Sequence, residues 1–355
     1  MSATLCEVRD IGNDKLWARL WAADVTQPPY YQPAELLAAA RHLQPVYYLP
    51  DDLRYEQNRD TLLGFEPEHV VAVDDDGPVL GLALTVERHV DGTRLSCFGK
   101  PLYLVVDGSA AESRVAAAAG PLWTRLTELA GEHGVAGYHV RDFLVGGRLS
   151  PLSERVLRAG GRANPYFVQV VDLRPELSEI WSGLRDNHRR ILRKRTGQVR
   201  LTVVGADTVR PEHGDLMSRL HRIMRGSTVR SADYWRAVVE GVRADEGFLV
   251  VAEEDGAEVA GAHFAMSDRA AFYSTAAHDP ERKGVGLSHV VLWRAIEHAR
   301  ERGCAGFEVG DRVYPGQHRF VDDKLQNISH FKAGFGGGAA LRVDVLAGTG
   351  SEGEA

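Results

Sequence analysis

A pattern of hairpin, helix, glycine stop and strand occurs twice in this chain, the copies about 170–180 residues apart. Nothing else in the sequence limits the fold so strongly. Val70 to Leu84 (VVAVDDDGPVLGLAL) and Val250 to Phe264 (VVAEEDGAEVAGAHF) are each an apolar run, an acidic-Gly turn and a second apolar run. That arrangement predicts a hairpin between half-buried strands. Further along, Glu132-His133-Gly134-Val135-Ala136-Gly137-Tyr138 answers Glu301-Arg302-Gly303-Cys304-Ala305-Gly306-Phe307. Each follows a helical stretch containing Leu-Trp (Leu122-Trp123, Leu292-Trp293), and each reads as a helix, a glycine stop and a buried strand. Two copies account for nearly all of the 355 residues, so the chain is a tandem duplication, with halves expected at 1–172 and 173–347 and a disordered tail at 348–355.

Each half is long enough to bury its own core. No apolar run approaches the roughly 18–20 residues of a membrane span, and no signal-peptide pattern opens the sequence. The three cysteines, Cys6, Cys97 and Cys304, have neither metal-ligand spacing nor the look of a disulfide framework. They point to a reducing, cytoplasmic setting and to no metal site. A net charge of −7 argues against a protein that coats nucleic acid indiscriminately, while leaving room for a local basic site.

Patterning predicts a helix near 14–22, a Pro/Tyr-rich loop at Gln27–Pro33 and a helix near 34–42. Strands are expected at about 69–74, 78–87, 94–98 and 102–106, then helix 112–133, strand 136–141, a short helix at 153–159 and a closing strand at 166–172. The second half opens with Pro175, and one helix is expected from there to Arg195, with a stop at Gly197. Strand 199–204, helices near 210–225 and 231–243, and strands 248–253, 258–266 and 270–276 come next. Helix 287–302, strand 305–309, helix 322–333 and strand 340–346 complete it. The fold class is therefore α/β (α+β): two tandem domains, each a mixed, mostly antiparallel sheet flanked by helices.

That element order, taken twice, resembles the GNAT acyltransferase fold, in which two central parallel strands splay and the acyl donor sits in the opening. Three stretches of the second half sharpen the resemblance. They are the basic helix Arg185-Asp186-Asn187-His188-Arg189-Arg190-Ile191-Leu192-Arg193-Lys194, Phe272-Tyr273 with the later Gly286 and Leu292-Trp293, and Phe331-Lys332-Ala333-Gly334-Phe335-Gly336. Together they resemble the Fem family, tandem GNAT transferases that move an amino acid from aminoacyl-tRNA onto an amine. The resemblance implies aminoacyl-tRNA as donor substrate, a small-molecule, peptide or cell-wall-precursor amine as acceptor, and no tightly bound cofactor. No long helical insertion follows Arg195, so the chain is similar to the compact members. An acyl-CoA-dependent N-acyltransferase is the nearest alternative, and a silent nucleotide-binding protein is the alternative of another class.

Candidate site residues follow from pattern and resemblance together. Leu325, Ile328, Phe331 and Phe335 share one helical arc at about 100° per residue, and Lys332 falls inside it. A lysine there either snorkels to the rim or meets an anion; the resemblance gives the Phe331-Lys332 pair a part in the reaction, with Lys332 on the oxyanion. Arg185, Arg189 and Arg193 form a ridge flanked by Arg190 and Lys194, suited to phosphate or simply to solvent. Arg282, Lys283, Gly284 and Gly286 precede a helix start, where backbone N–H groups bind pyrophosphate. A plain turn reads equally well. Tyr273 is either a substrate-positioning group or a half-buried strand aromatic. His278 is a base candidate or merely a polar loop residue. Arg141-Asp142 at the end of the first half's last central strand corresponds to Gly310-Asp311 in the second, and either pair could touch the acceptor, as could Lys100 and Tyr103. No Ser-His-Asp or Cys-His signature is present, so direct attack by the acceptor amine is the simpler chemistry.

Overall fold

The computed structural model describes residues 3–348 other than 9, 34, 37–45, 49–54, 58–61, 91, 136, 229, 283–285 and 316–320. Most of the helix expected at 34–42, the tail beyond 348, and the candidates Lys283 and Gly284 lie outside the described residues. In the first half the order is β1 (Thr4–Val8), α1 (Lys15–Ala23), β2 (Val46–Tyr48), β3 (Tyr55–Gln57), β4 (Leu62–Pro67), β5 (His69–Asp74) and β6 (Gly77–Leu82). It continues with β7 (Thr85–His89), β8 (Gly92–Ser96), β9 (Leu102–Val106), α2 (Glu112–Glu132), β10 (Gly137–Asp142), α3 (Pro151–Arg158) and β11 (Arg162–Asp172). The second half runs α4 (Leu177–Ser182), α5 (Asp186–Arg195), β12 (Arg200–Val204), α6 (Pro211–Arg225), α7 (Ala232–Arg243), β13 (Gly247–Glu254) and β14 (Ala257–Met266). Then come β15 (Ala270–His278), α8 (Leu287–Glu301), β16 (Gly306–Arg312), α9 (Asp323–Ala333) and β17 (Gly338–Gly348). Among the described residues no helix is long and apolar enough to cross a membrane.

The duplication is visible in the pairing. β5–β6 and β13–β14 are both antiparallel hairpins, and β9‖β10 and β15‖β16 are both parallel pairs. Gly134 (φ 60) and Gly303 (φ 86) end the two equivalent helices in the left-handed conformation that a side chain resists. Between β6 and β9 the first half carries an extra antiparallel hairpin, β7–β8.

The closing strands are exchanged between the halves. β11 was expected beside the first half's own sheet. Instead it runs antiparallel to β16, and β17 runs antiparallel to both β10 and β11. The two halves therefore share one continuous sheet, centred on β9-β10-β17-β11-β16-β15. Burial locks the exchange: Val343 and Val345 of β17 enter the first half's core, while Val171 of β11 enters the second's. On the second half, α6 and α7 cover one face of β13–β15, and α4, α5 and α8 contribute to the core on the other.

The single helix expected from Pro175 to Arg195 is two, α4 and α5. The interruption lies where the chain meets the glycine run after α9. The amide of Arg185 donates to the carbonyl of Gly334 at 2.9 Å, and a β-carbon at Gly336 would lie 2.7 Å from the carbonyl oxygen of Gly183. Backbone-to-backbone contact of that closeness takes the place of an uninterrupted helical ladder.

Candidate active site

β15 and β16 pair only from Ala270–Gly306 to Phe272–Glu308 and then part. β9 and β10 do the same after Leu102–Val140 and Tyr103–Arg141. At the β15–β16 opening β16 bulges, its register against β11 stepping from Val170–Glu308 to Gln169–Gly310. Gly310 sits there at φ 110, and a β-carbon on it would collide with Nζ of Lys332. The ammonium of Lys332 thus rests on the glycine that forms the bulge, at the mouth of the splayed strands.

Several contacts fix the helix that carries this lysine. Asp322 caps α9, its side chain accepting from the amide of Leu325 at 2.7 Å. Ser329 is buried and its hydroxyl binds both the amide (3.0 Å) and the carbonyl (3.3 Å) of Val313. At the other end the His188 ring contacts the Phe331 carbonyl through Nε2 at 3.0 Å. Phe331, Phe335 and His289 pack with that ring, the centroids of His188 and His289 being 4.5 Å apart. Burial holds His289 down at about 4 and His188 below its ordinary value. The apolar arc expected on α9 is only partly buried. Ile328 is 41% exposed, while Ser329 and Phe335 face inward.

Beside the vertex, polar side chains line the seam between the halves. Arg141 (β10) donates to both carboxylate oxygens of Asp344 (β17) at 2.9 Å, and its guanidinium lies 4.9 Å from the Tyr166 ring centre. Tyr166 (β11) is in register with Arg342 (β17), which reaches Glu308 (β16) at 3.6 Å and stacks over Phe143 at 4.7 Å. Tyr30, from the Pro/Tyr-rich loop, lies 4.9 Å edge-on from Phe272, and its hydroxyl feels the charges of Glu308, Arg141, Arg342 and Asp344. Burial raises the Glu308 carboxyl above its ordinary value, Asp311 adds to the rise, and Arg342, Arg141 and Lys332 partly offset it. Sequence reasoning passed over Glu308, Arg342 and Tyr30. The signal for Glu308 is one acid inside the otherwise apolar strand Gly306-Phe307-Glu308-Val309-Gly310.

Other candidates are placed as follows. Asp311 adjoins Gly310 on β16 and is half-buried. Tyr273 turns into the second half's core, stacked on Phe264 at 5.5 Å, and burial pushes its hydroxyl up to about 12. Asp142 accepts the amides of Leu144 (2.8 Å) and Ser150 (2.7 Å), shaping the chain after β10. Lys100 donates to the Tyr30 carbonyl, Tyr103 donates to Asp24, and both rings of the pair Tyr31–Tyr103 sit at the seam, 5.0 Å apart. His278 ends β15 and is half-buried.

The basic residues gather elsewhere, around the start of α8. Arg189 donates to the carbonyl of Leu184 at 2.8 Å and to those of Ser182 and the side chain of Asp186, tying down the end of α4. Arg190 donates to Asn187 at 2.8 Å, Arg193 lies over Trp181 at 5.8 Å, and Lys194 is exposed. Arg195 and Arg282 share the carboxylate of Glu254. Gly286 caps α8 with its α-carbon against Ile191 of α5, so the basic helix borders that helix start. The structure therefore forms two groups: Lys332, Asp311 and Arg141 around Glu308 at the vertex and seam, and the arginines with Gly286 beside α8, Phe331 packing on the side of α5 and α8 against His188 and His289.

A family model described as the acetyltransferase (GNAT) domain matches residues 182–320. FemX superposes with a TM-score of 0.62 at 12% identity, over 79% of this chain and 88% of its own. A tandem GNAT protein from the clavulanic acid biosynthesis pathway gives 0.54 at 16% identity over 99% and 100%. L-PGS from Bacillus licheniformis gives 0.51 at 13% identity over 79% and 84%. No curated protein matches the sequence. Identities this low carry the fold alone.

Proposed function

We propose, from the acetyltransferase (GNAT) domain match at residues 182–320 and the tandem fold shared with FemX, that the chain is an acyltransferase that moves an aminoacyl group from aminoacyl-tRNA to an amine, forming an amide. The observation that carries this reading is Lys332, seated against Gly310 where the strands open. A fixed ammonium at that point would stabilise the oxyanion that forms as the acyl carbonyl is attacked. Glu308, two residues earlier on β16 and raised by burial, is suited to take the proton of the incoming ammonium. The amine nitrogen then bonds to the acyl carbon, the ester C–O bond to the tRNA ribose breaks, and the ribose oxygen takes up a proton. Most of the rate would come from orientation at the vertex and from Lys332.

Support for the tRNA donor is the resemblance carried by the basic helix and by Phe331-Lys332, with Arg190, Arg193 and Lys194 as backbone-phosphate contacts. Such a reaction belongs in the cytoplasm, and the three cysteines are free, in keeping with that setting. A second reading, acyl-CoA as donor, is favoured by one observation: the α8 start at Gly286 with Arg282 on the loop before it. Mass spectrometry of products formed from charged tRNA and acyl-CoA pools, offered with candidate amines, separates the two. RNase-sensitive product supports aminoacyl-tRNA. Release of free coenzyme A thiol instead replaces it with the second reading, and no product from either pool overturns both.

A further inference from the structure

We propose that the polar cluster at the seam is a site for a zwitterion, so that the acceptor is a free amino acid rather than a peptide amine or a phosphate-bearing one. Among the described residues two buried polar atoms there have no partner: the hydroxyl of Tyr166, a residue 7% exposed, and Nε of Arg342. They belong to residues in register on adjacent strands, β11 and β17. Leaving such groups unpaired costs each of them on the order of 1–3 kcal/mol, and a carboxylate satisfies both at once.

The charges around them decide which anion. Arg141, Arg342 and Lys332 contribute three positive charges around Glu308, and Glu308, Asp344 and Asp311 three negative ones; the Tyr30 hydroxyl feels Glu308, Arg141, Arg342 and Asp344, and the Tyr166 hydroxyl Arg141, Asp344 and Glu308. A phosphate dianion would add net charge to a balanced, buried cluster, which is strongly unfavourable. An α-amino acid adds none. Its carboxylate meets Arg342 Nε and Tyr166 Oη, and its ammonium faces Glu308, which Arg342 approaches at 3.6 Å. Tyr30, Phe143 and Phe272 pack beside the cluster, Phe143 contacting both Tyr30 and Arg342. A peptide amino terminus offers only a neutral amide carbonyl beside its amine, a weaker acceptor for the two donors than a carboxylate.

The inference takes its reaction from the acyl-transfer reading, but its test needs no donor. Thermal-shift and calorimetric titration of the full chain with the proteinogenic amino acids is followed, for any that binds, by its carboxamide and its decarboxylated amine. At least one amino acid should bind, with both analogues weaker by about tenfold or more. Tyr166→Phe, which keeps the ring under Arg141, and Arg342→Lys should each weaken it by about ten- to hundredfold. Circular dichroism of the unliganded variants separates lost binding from lost folding, and Tyr166→Phe stands if Arg342→Lys does not fold. Binding of no amino acid, equal binding of acid and carboxamide, or unchanged affinity in the folded variants would overturn the proposal. If binding holds and no acyl transfer is found, the donor reading fails and the zwitterion site remains.

Discussion

Arg141 and Asp344 are 203 residues apart in sequence and meet in a bidentate ion pair with both side chains buried. The pair joins the last central strand of the first half to the last strand of the second, so it fastens the strand exchange at the seam. Removing one partner leaves the other's charge buried and unmatched. Asp344→Leu and Arg141→Met should therefore each lower stability by about 3–5 kcal/mol. The double substitution Arg141→Met with Asp344→Leu should cost much less than the sum of its parts. Urea denaturation of the four proteins checks this, and additive losses would mean the two side chains act independently.

Gly310 and Lys332 should behave as one unit. Lys332→Ala is expected to fold normally and to lower turnover at least about 100-fold. Gly310→Ala places a β-carbon where Nζ lies, at a φ of 110 that side chains resist, so it should displace the ammonium and lower both turnover and Tm. Combining them should reduce turnover no further than Lys332→Ala does. Steady-state rates and thermal melts measure both effects, and a double variant slower than either single one would separate the two residues.

Local patterns in the sequence carried much of this architecture. Acidic-Gly turns, Gly134 and Gly303, and the apolar runs each act within a few residues, and the hairpins, α2, α8, β10 and β16 appear where those patterns place them. Strand partnership is not local. β11 and β17 read as strands, but which neighbour each joins depends on the core that receives Val171 or Val343. The same limit hid the interruption between α4 and α5, which depends on Gly336 meeting Gly183 from about 150 residues away. Lys332 stood out because it shares an arc with Leu325, Ile328, Phe331 and Phe335, although that arc is only partly buried. Tyr30 and Arg342 did not, since a loop tyrosine and a strand arginine are ordinary until the fold sets them beside Glu308.

Asp24 makes stability depend on pH in an uncommon direction. Its carboxylate accepts from Tyr103 and from the amide of Thr26 at 2.9 Å, yet burial outweighs these bonds and raises it from 3.8 to about 6. Between those values the folded protein holds a proton that the unfolded chain has released. The contribution of Asp24 therefore weakens stability as pH rises through that window, by about 3 kcal/mol in all, and levels off above it. Asp24→Asn keeps a hydrogen-bond acceptor for Tyr103 without the ionisation. The stability of the variant relative to the parent should accordingly increase from about pH 4 to about pH 7. Denaturation curves across that range test it, and a constant difference would show that Asp24 does not titrate between the two states.

Glu308 separates a proton-taking role from a merely structural one. Its carboxyl is raised by burial above the ordinary 4.5, so it passes from protonated to charged at a higher pH than a surface glutamate. As the base for the acceptor ammonium it must be charged to act, and kcat/KM should climb with pH along an acid limb set by that raised value. Glu308→Gln preserves size and can still hydrogen-bond to Arg342. It should lower kcat by about 100-fold or more and erase the acid limb. If Glu308 only held Arg342 in place, the glutamine variant would keep the limb and lose chiefly in KM. The pH dependence of kcat and kcat/KM in the two proteins distinguishes these outcomes, and an acid limb surviving in Glu308→Gln would move the base elsewhere, with Asp311 on the same strand the next group to substitute.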